Sequence, residues 1–308
     1  MDPKVSVLVL NYNGKRFLKE CLSSVFDQSY RNFEVILIDN NSTDGSLEYA
    51  KKEFSQTKII SLNENYGFSK GNNIGILNSR GKYIAIINND TKLHKKWLEE
   101  LIRIIEKDEK MGIVCPKILK MQSLSENKSI IECCGRLFKW YGPILKGFNE
   151  IDHGQYNQIR EVDCVSGAGA LYRKEMFDEI GLFDEDFFMY YEDVDLCVRA
   201  KKKNWKIIYA PNAVMYHFHG GSAGRFSYFA VYYCIRNELL STIKNGNWIQ
   251  ILSTFILFPF RGIRRLGNLL INDKISDKGF IISALSAFFD VMLMAPKMLV
   301  KRFKDKKF

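Results

Sequence analysis

The chain has 308 residues, 46% of them hydrophobic and 26% charged, which is enough apolar material for a full core and excludes wholesale disorder. Its formal charge of +10 is uneven: the last 48 residues, Arg261 to Phe308, carry eleven Lys and Arg against four Asp and Glu, a net +7. Seven cysteines (Cys21, Cys115, Cys133, Cys134, Cys164, Cys197 and Cys234) make no CxxC pair and no zinc spacing, a pattern that predicts reduced, buried thiols in a cytosolic protein.

Met1 to Lys4 leads directly into a strand-like run, so no signal peptide is expected. Val5 to Leu10 is short, β-branched and apolar, as in a strand buried on both faces. Arg16 to Phe26 has helical spacing, Phe33 to Ile38 predicts a second strand, and Ser46 to Phe54 a helix. Lys58 to Leu62, Lys70 to Leu77, Tyr83 to Ile87 and Trp97 to Ile105 continue as strand, helix, strand, helix, before Ile113 to Cys115. This alternation predicts an α/β fold whose central sheet is mostly parallel with helices on both faces. Ligands of such sheets bind at the carboxyl ends of the strands. There the polar clusters fall: Asn11-Tyr12-Asn13, Asp39 to Asp44, and Asn88-Asn89-Asp90.

Lys117 to Glu161 reads as an excursion of weak periodicity, and Asp163 to Tyr172 returns to regular structure. Asp193 to Lys203 predicts a helix, Trp205 to Tyr209 and Ala213 to Tyr216 two strands, and Phe226 to Lys244 a long helix. No P-loop, GxGxxG, HExxH or GxSxG motif is present, so side chains more than glycine-cradled amides must hold any ligand.

Several strings then occur in a set order: Val5-Ser6-Val7 with Asn11-Tyr12-Asn13, Val35 to Gly45, Asn65-Tyr66-Gly67 through Asn72-Asn73, and Asn88-Asn89-Asp90. They are followed by Ser166-Gly167-Ala168, Glu192-Asp193-Val194-Asp195, His217 to Ser222, and Arg236-Asn237. Over residues 4 to 245 this set resembles family 2 glycosyltransferases with the GT-A (nucleotide-diphospho-sugar transferase) fold, and most of all the rhamnosyltransferase-like enzymes of cell-surface polysaccharide synthesis. The resemblance implies a domain over 1–245, with a nucleotide-sugar half (1–115) and an acceptor half (116–245), and a helical tail over 246–308.

The implied activity is inverting transfer of a sugar from a UDP- or dTDP-linked donor to a hydroxyl of a glycan or lipid-linked acceptor. Asp39, at a strand end, offers two acceptor oxygens to a uracil-type N–H or a ribose hydroxyl, while Asp44 caps or supports the next helix. Asn11, Asn13, Asn65, Gly67, Asn72, Asn89 and Arg236 complete the donor set by the resemblance, with Arg236 also able to pair with Asp residues. Asn88-Asn89-Asp90 stands where the family has Asp-x-Asp, so Asp90 alone supplies charge to a divalent metal, Mg²⁺ or Mn²⁺. His217 is the second candidate ligand, ahead of His219, and its nitrogen favours Mn²⁺.

Glu192-Asp193-Val194-Asp195 opens a helix beside the aromatic run Phe187 to Tyr191, where desolvation raises a carboxylate pKa toward that of a useful base. The family pattern makes Asp193 the base, with Glu192 and Asp195 supporting its loop or contacting the acceptor; Gly167 leaves room for a sugar against the backbone or for a tight strand–strand approach, and Tyr191 offers an aromatic face to stack on a sugar ring. Trp205 reads as core.

In the tail, Trp248 to Phe260 is too short to span a bilayer, and Phe280 to Val300 contains Asp290, Pro296 and Lys297, a costly set for a spanning helix. Helices lying on an anionic cytoplasmic membrane surface fit better, aided by Arg261, Arg264, Arg265 and the basic run Lys301 to Lys307. Two rival readings are a non-catalytic membrane-associated binder of sugar nucleotides and a nucleic-acid-binding protein. Asp193 beside Glu192 speaks against the first. The second lacks a recognition motif and stacking aromatics among the basic residues, so no nucleic-acid partner is expected.

Overall fold

The computed structural model describes residues 2–121, 128–139, 142–218, 227–256 and 277–304. In chain order come β1 (Val5–Asn11), α1 (Lys15–Phe26), β2 (Phe33–Asp39), α2 (Ser46–Glu53), β3 (Lys58–Ser61), α3 (Gly67–Leu77), β4 (Tyr83–Asn88), β5 (Thr91–Leu93), α4 (Trp97–Ile105) and β6 (Met111–Lys120). Then follow β7 (Ile131–Cys133), β8 (Arg136–Lys139), β9 (Gly142–Leu145), β10 (Arg160–Glu161), β11 (Gly169–Arg173), α5 (Lys174–Ile180), a 3-10 turn (Glu185–Phe187), α6 (Glu192–Lys202) and β12 (Lys206–His217).

The main sheet runs β10-β12-β6-β11-β4-β1-β2-β3, with β5 on β12 and β7 on β6. Pairing is parallel among β4, β1, β2 and β3 and between β12 and β6; β11 is inserted antiparallel. Strands buried on both faces explain the continuous apolar runs. On β1, Val5, Val7 and Val9 face the core cluster that takes Leu18, Leu22 and Val25 of α1 and Trp97 and Leu101 of α4. Leu8 and Leu10 face the opposite side, where α3 lies so close that a Cβ on Gly75 would stand 2.8 Å from Ile38 and 3.1 Å from Leu8.

Two elements differ from expectation. β6 is ten residues long, not three, because Lys117 interrupts its apolar pattern while lying buried, its ammonium donating to Asp152 (2.7 Å) and Asn157 (2.8 Å). The two strands expected around Trp205 to Tyr216 are one, β12, with a register shift between Ala210 and Val214 that absorbs Pro211. None of the seven cysteines is in a disulfide and all but Cys234 are buried; burial pushes the thiols of Cys21 and Cys133 up to about 12, which makes them poor nucleophiles.

The chain divides into two compact units. The first holds the sheet and α1–α6. The second gathers α7 (Tyr228–Asn245), a helix over 248–256 (α8) and α9 (Asp277–Lys304), together with Met189–Tyr191. The boundary expected at residue 245 falls inside this second unit.

Candidate active site

Strand register assembles the site. Parallel pairing sets Asn11 opposite Asp39 and Leu10 opposite Asn88, so three polar strand ends finish side by side. Fully buried Asn11 joins them: its Nδ2 donates to Asp39 Oδ1 (3.0 Å) and Ser42 Oγ (3.1 Å), and its Oδ1 accepts from Asn89 Nδ2 (2.7 Å). The other Asp39 oxygen accepts the Ser42 N–H at 3.0 Å. Asn13, in a left-handed conformation (φ 48°), accepts the Thr43 N–H at 2.8 Å. Asp44 accepts from the Lys15 and Ser46 N–H groups, the supporting part expected of it.

Asn65 Oδ1 accepts from Asn40 Nδ2 (2.9 Å) and the Gly67 N–H (3.0 Å). Asn40 was not singled out in the sequence, yet it is buried and also donates to Gly67 O and accepts from the Tyr66 N–H. Gly67 has φ +73°, and a Cβ there would stand 2.5 Å from the Phe188 ring and 2.6 Å from its carbonyl oxygen, which takes the N–H groups of Phe68 and Ser69. Asn72 is fully buried; its Nδ2 donates to Phe68 O, and its Oδ1 has no hydrogen-bond partner.

Asp90 and His217 meet because β5 pairs antiparallel with the end of β12, His217 opposite Thr91, and Asp90 O accepts the Phe218 N–H at 2.9 Å. Asp90 Oδ1 lies 3.2 Å from His217 Nε2, an ion-pair distance without hydrogen-bond alignment, and is otherwise a buried oxygen without a partner. The far nitrogen, Nδ1, donates to Glu132 Oε1 at 2.8 Å. Sequence reasoning missed Glu132, which sits in the stretch read as an excursion. There β7 carries one extra residue between Cys133, opposite Ile118, and Ile131, opposite Leu119, and bulges of this kind re-aim side chains. The available signal was one carboxylate within the apolar run Ile130 to Cys134. Burial pulls the His217 pKa down, but Asp90 and Glu132 outweigh it and raise the value to about 10.

The acidic cluster adjoins this edge through Ala168, whose carbonyl accepts the Asn88 N–H at 3.0 Å. Asp193 Oδ2 accepts the Gly167 N–H (2.9 Å) and lies 3.1 Å from Arg136 Nη1; Oδ1 accepts the Val194 N–H. Arg136, from β8, is a second residue the sequence reading missed. Burial, then the adjacent Asp193 carboxylate, pushes Glu192 well above the usual carboxylate range, so the shift expected of this loop is found on Glu192. Asp195 is fully buried and turned into Arg199 (2.9 Å), whose guanidinium also holds the carbonyls of Ile180, Gly181 and Leu182. Trp205 is buried and donates to Glu179. Immediately before the cluster, Phe188, Tyr190 and Tyr191 all have φ between 61° and 68°, a costly conformation for bulky residues and one that collects at functional sites.

Arg236 and Tyr191 belong to the second unit. There Arg236 donates to Asn237 Oδ1 (2.9 Å) with its guanidinium 4.6 Å from the Tyr233 ring centroid, and Asn237 donates to the carbonyls of Met189 and Tyr190. His219, Arg261, Arg264 and Arg265 lie outside the described residues.

Residues 6–181 match the family Glycosyl transferase family 2. The chain belongs to this family. It is 26% identical over 245 residues to a low-salt glycan biosynthesis hexosyltransferase, Agl10, of Haloferax volcanii, covering 77% of this chain and 75% of that protein. It is 25% identical, over 73% of its length and 79% of the relative's, to an N-acetylglucosaminyl-diphospho-decaprenol L-rhamnosyltransferase of Mycobacterium tuberculosis. Among solved structures, GalNAc-T7 with UDP, GalNAc and Mn²⁺ superposes with a TM-score of 0.61 at 17% identity, over 79% of this chain and about half (48%) of that one. The mannosyltransferase PcManGT of Pyrobaculum calidifontis, with GDP-Man and Mn²⁺, gives 0.56 at 15% identity, over 99% and 74%. These likenesses establish the GT-A fold for this family 2 member.

Proposed function

We propose that this glycosyltransferase is an inverting, metal-dependent hexosyltransferase of cell-envelope polysaccharide synthesis, working at the cytoplasmic membrane surface with a UDP- or dTDP-linked donor and a glycan or lipid-linked acceptor. The observation that carries the reading is the meeting of Asp90 with His217 at the strand edge that also carries Asp39, one hydrogen bond from the loop holding Asp193. An Asp90 oxygen without a hydrogen bond, beside an imidazole nitrogen, fits a divalent ion of Mn²⁺ type. Asp90 and His217 would hold it, with the donor's phosphates completing the shell. Bound there, the ion supplies positive charge against the leaving diphosphate.

The protein's own groups do the rest. Glu132 fixes the His217 ring by accepting from Nδ1, which leaves Nε2 toward the ion, the usual task of a carboxylate behind a ligating histidine. Asp39, with lone pairs beyond those used by Asn11 and Ser42, accepts from the base or ribose; Asn11, Asn13, Asn65 and Asn89 hold the loops around it. Asp193 takes the proton of the acceptor hydroxyl, whose oxygen attacks the anomeric carbon from the face opposite the diphosphate, so one displacement inverts the configuration. Arg136 and the Gly167 N–H hold that carboxylate in place. Glu192, whose carboxyl is pushed well above the usual carboxylate range by burial and by Asp193, lies next to it. A thermal-shift panel of UDP-, dTDP- and GDP-sugars with Mn²⁺ or EDTA, followed by transfer assays on the stabilising donors, tests this. Metal-dependent stabilisation by a UDP- or dTDP-sugar is expected. Equal responses with EDTA would refute the metal site, and binding with neither hydrolysis nor transfer would refute the enzyme reading.

A further inference from the structure

Helix α9 is apolar on two opposite sides. Its inward stripe, Phe280, Ala287, Val291 and Met298, is buried and packs on α7. Its outward line, Ile282, Leu285, Phe289, Leu293, Val300 and Phe303, is 53–65% exposed. At 3.6 residues per turn, Ile282, Phe289, Leu293 and Val300 share an arc of about 40°. Helix α8 packs on α9 through Phe255 and Phe288, ring centroids 6.4 Å apart, and presents Trp248, Ile249, Leu252 and Ile256 at 58–78% exposure. Two helices of one compact unit thus leave long apolar faces uncovered among the described residues, a pattern that marks an interaction surface. Exposed Lys297 and Lys304 border the α9 line on one side, in a tail of net charge +7. An apolar strip edged by cations matches an anionic lipid surface.

Length and hydropathy alone also allow Gly279–Lys304 to cross a bilayer. Its partner helix decides the matter. α7 runs beside α9 in parallel from end to end: Ser283 donates to Tyr228 O (3.4 Å), Tyr232 Oη donates to the Asp290 carboxylate, and Arg302 donates to Ile243 O (3.0 Å). If α9 crossed, α7 would enter the hydrocarbon with Arg236, Asn237, Glu238 and Lys244, a cluster expensive to immerse. Lying flat, α9 keeps its hydrogen-bonded side on α7 and immerses only the apolar line.

Resting on the membrane association proposed above, we infer that α8 and α9 lie in the plane of an anionic bilayer, with the line Ile282–Phe289–Val300 immersed at one depth and no crossing. Ile282 and Val300 are 18 positions apart, about 27 Å along the helix, close to the roughly 30 Å hydrocarbon thickness. The two arrangements therefore differ by nearly the whole core. In the full-length chain, Ile282→Trp, Phe289→Trp and Val300→Trp place reporters at exposed sites. Their fluorescence, less that of the wild type, is quenched by lipids brominated at successive acyl depths, in phosphatidylcholine vesicles containing one-third phosphatidylglycerol.

The expected result is the same shallow depth for all three. Flotation with the vesicles is scored first and separately. Flotation with depths graded from 282 to 300 would overturn the flat arrangement and leave membrane association standing. Failure to float would overturn both, and a dimer by light scattering without flotation would make a second copy the occupant. Phe289→Glu with Leu293→Glu, both exposed, should lower vesicle partitioning at least tenfold with an unchanged melting temperature; unchanged partitioning would overturn the assignment of this face.

Discussion

Asp193→Asn separates a base from an ion-pair partner. The side chain keeps its size and can still accept the Gly167 N–H, but loses the capacity to take a proton, which typically lowers the rate ~10²–10⁴-fold. It also leaves Arg136 facing a neutral amide. Removing one partner of a buried pair costs about 3–5 kcal/mol; with Arg136 21% exposed and Asp193 5% exposed, about 2–4 kcal/mol is expected. A lower rate could then reflect a loosened loop, so the assay is a double-mutant cycle with Arg136→Met, in which no unmatched charge remains. Single-turnover transfer, urea unfolding and calorimetric donor affinity are measured on all four proteins. The double variant should regain at least half of the lost stability and none of the lost rate, with donor affinity within about threefold throughout. Recovery of transfer together with stability, or a loss of donor binding as large as the loss of rate, would show that Asp193 is only a structural partner. Asp195→Asn is the companion case: its fully buried bond to Arg199 predicts a stability loss at the upper end of that range and a milder kinetic effect.

Glu132→Gln should weaken Mn²⁺ binding in the presence of UDP by about 10–100-fold, read by calorimetry or Mn²⁺ spin resonance; an unchanged affinity would mean that Glu132 does not act through His217. Asp90→Ala should abolish the metal requirement along with activity, and wild-type turnover of this variant in EDTA would refute the metal assignment. Glu192 carries a pH signature: because its folded pKa lies above its ordinary 4.5, the native state binds more protons above that pH, so its contribution to stability falls as pH rises from there. Glu192→Gln should therefore melt higher than wild type at pH 7–8 with the gap closing near pH 4, and a constant gap would contradict the burial argument. Gly67→Ala combines a left-handed backbone with a Cβ pressed on Phe188, for a loss of about 2–4 kcal/mol in urea unfolding; a loss under 1 kcal/mol would mean that the Phe188 loop yields.

The first 115 residues were legible because their order is local. Val5 to Leu10 and Phe33 to Ile38 are strands by their own composition, Trp97 to Ile105 matches its expected bounds, and the polar strings follow each strand directly. What escaped notice depends on pairings far apart in sequence. Glu132 meets His217 across 85 residues and Arg136 meets Asp193 across 57, through strands whose register no local pattern discloses. β6 hid behind Lys117 because a charge within a strand reads as exposed unless its partners, here Asp152 and Asn157, are known. The tail inverted the problem: its composition suggested an interface, but which side of α9 faces outward follows only from where α7 packs.

The site's inner frame is made mostly of amides, and there is a physical reason for that choice. Asn11, Asn40, Asn65 and Asn89 link β1, β2, the loop before α3 and the turn after β4 through bonds of 2.7–3.1 Å. An amide both donates and accepts without net charge, so such groups satisfy one another when buried at little desolvation cost. Carboxylates in those positions would each need a cation and would add negative charge where we propose that a diphosphate binds. The charged oxygens are kept for the groups proposed to meet the substrate: Asp39 held by an amide and an N–H, Asp90 with one oxygen left without a hydrogen bond, and Asp193 held by one arginine and two N–H groups. A frame whose amides satisfy one another needs no ligand to hold it, which places the cost of organisation in folding and would leave less to be met by binding of the proposed donor.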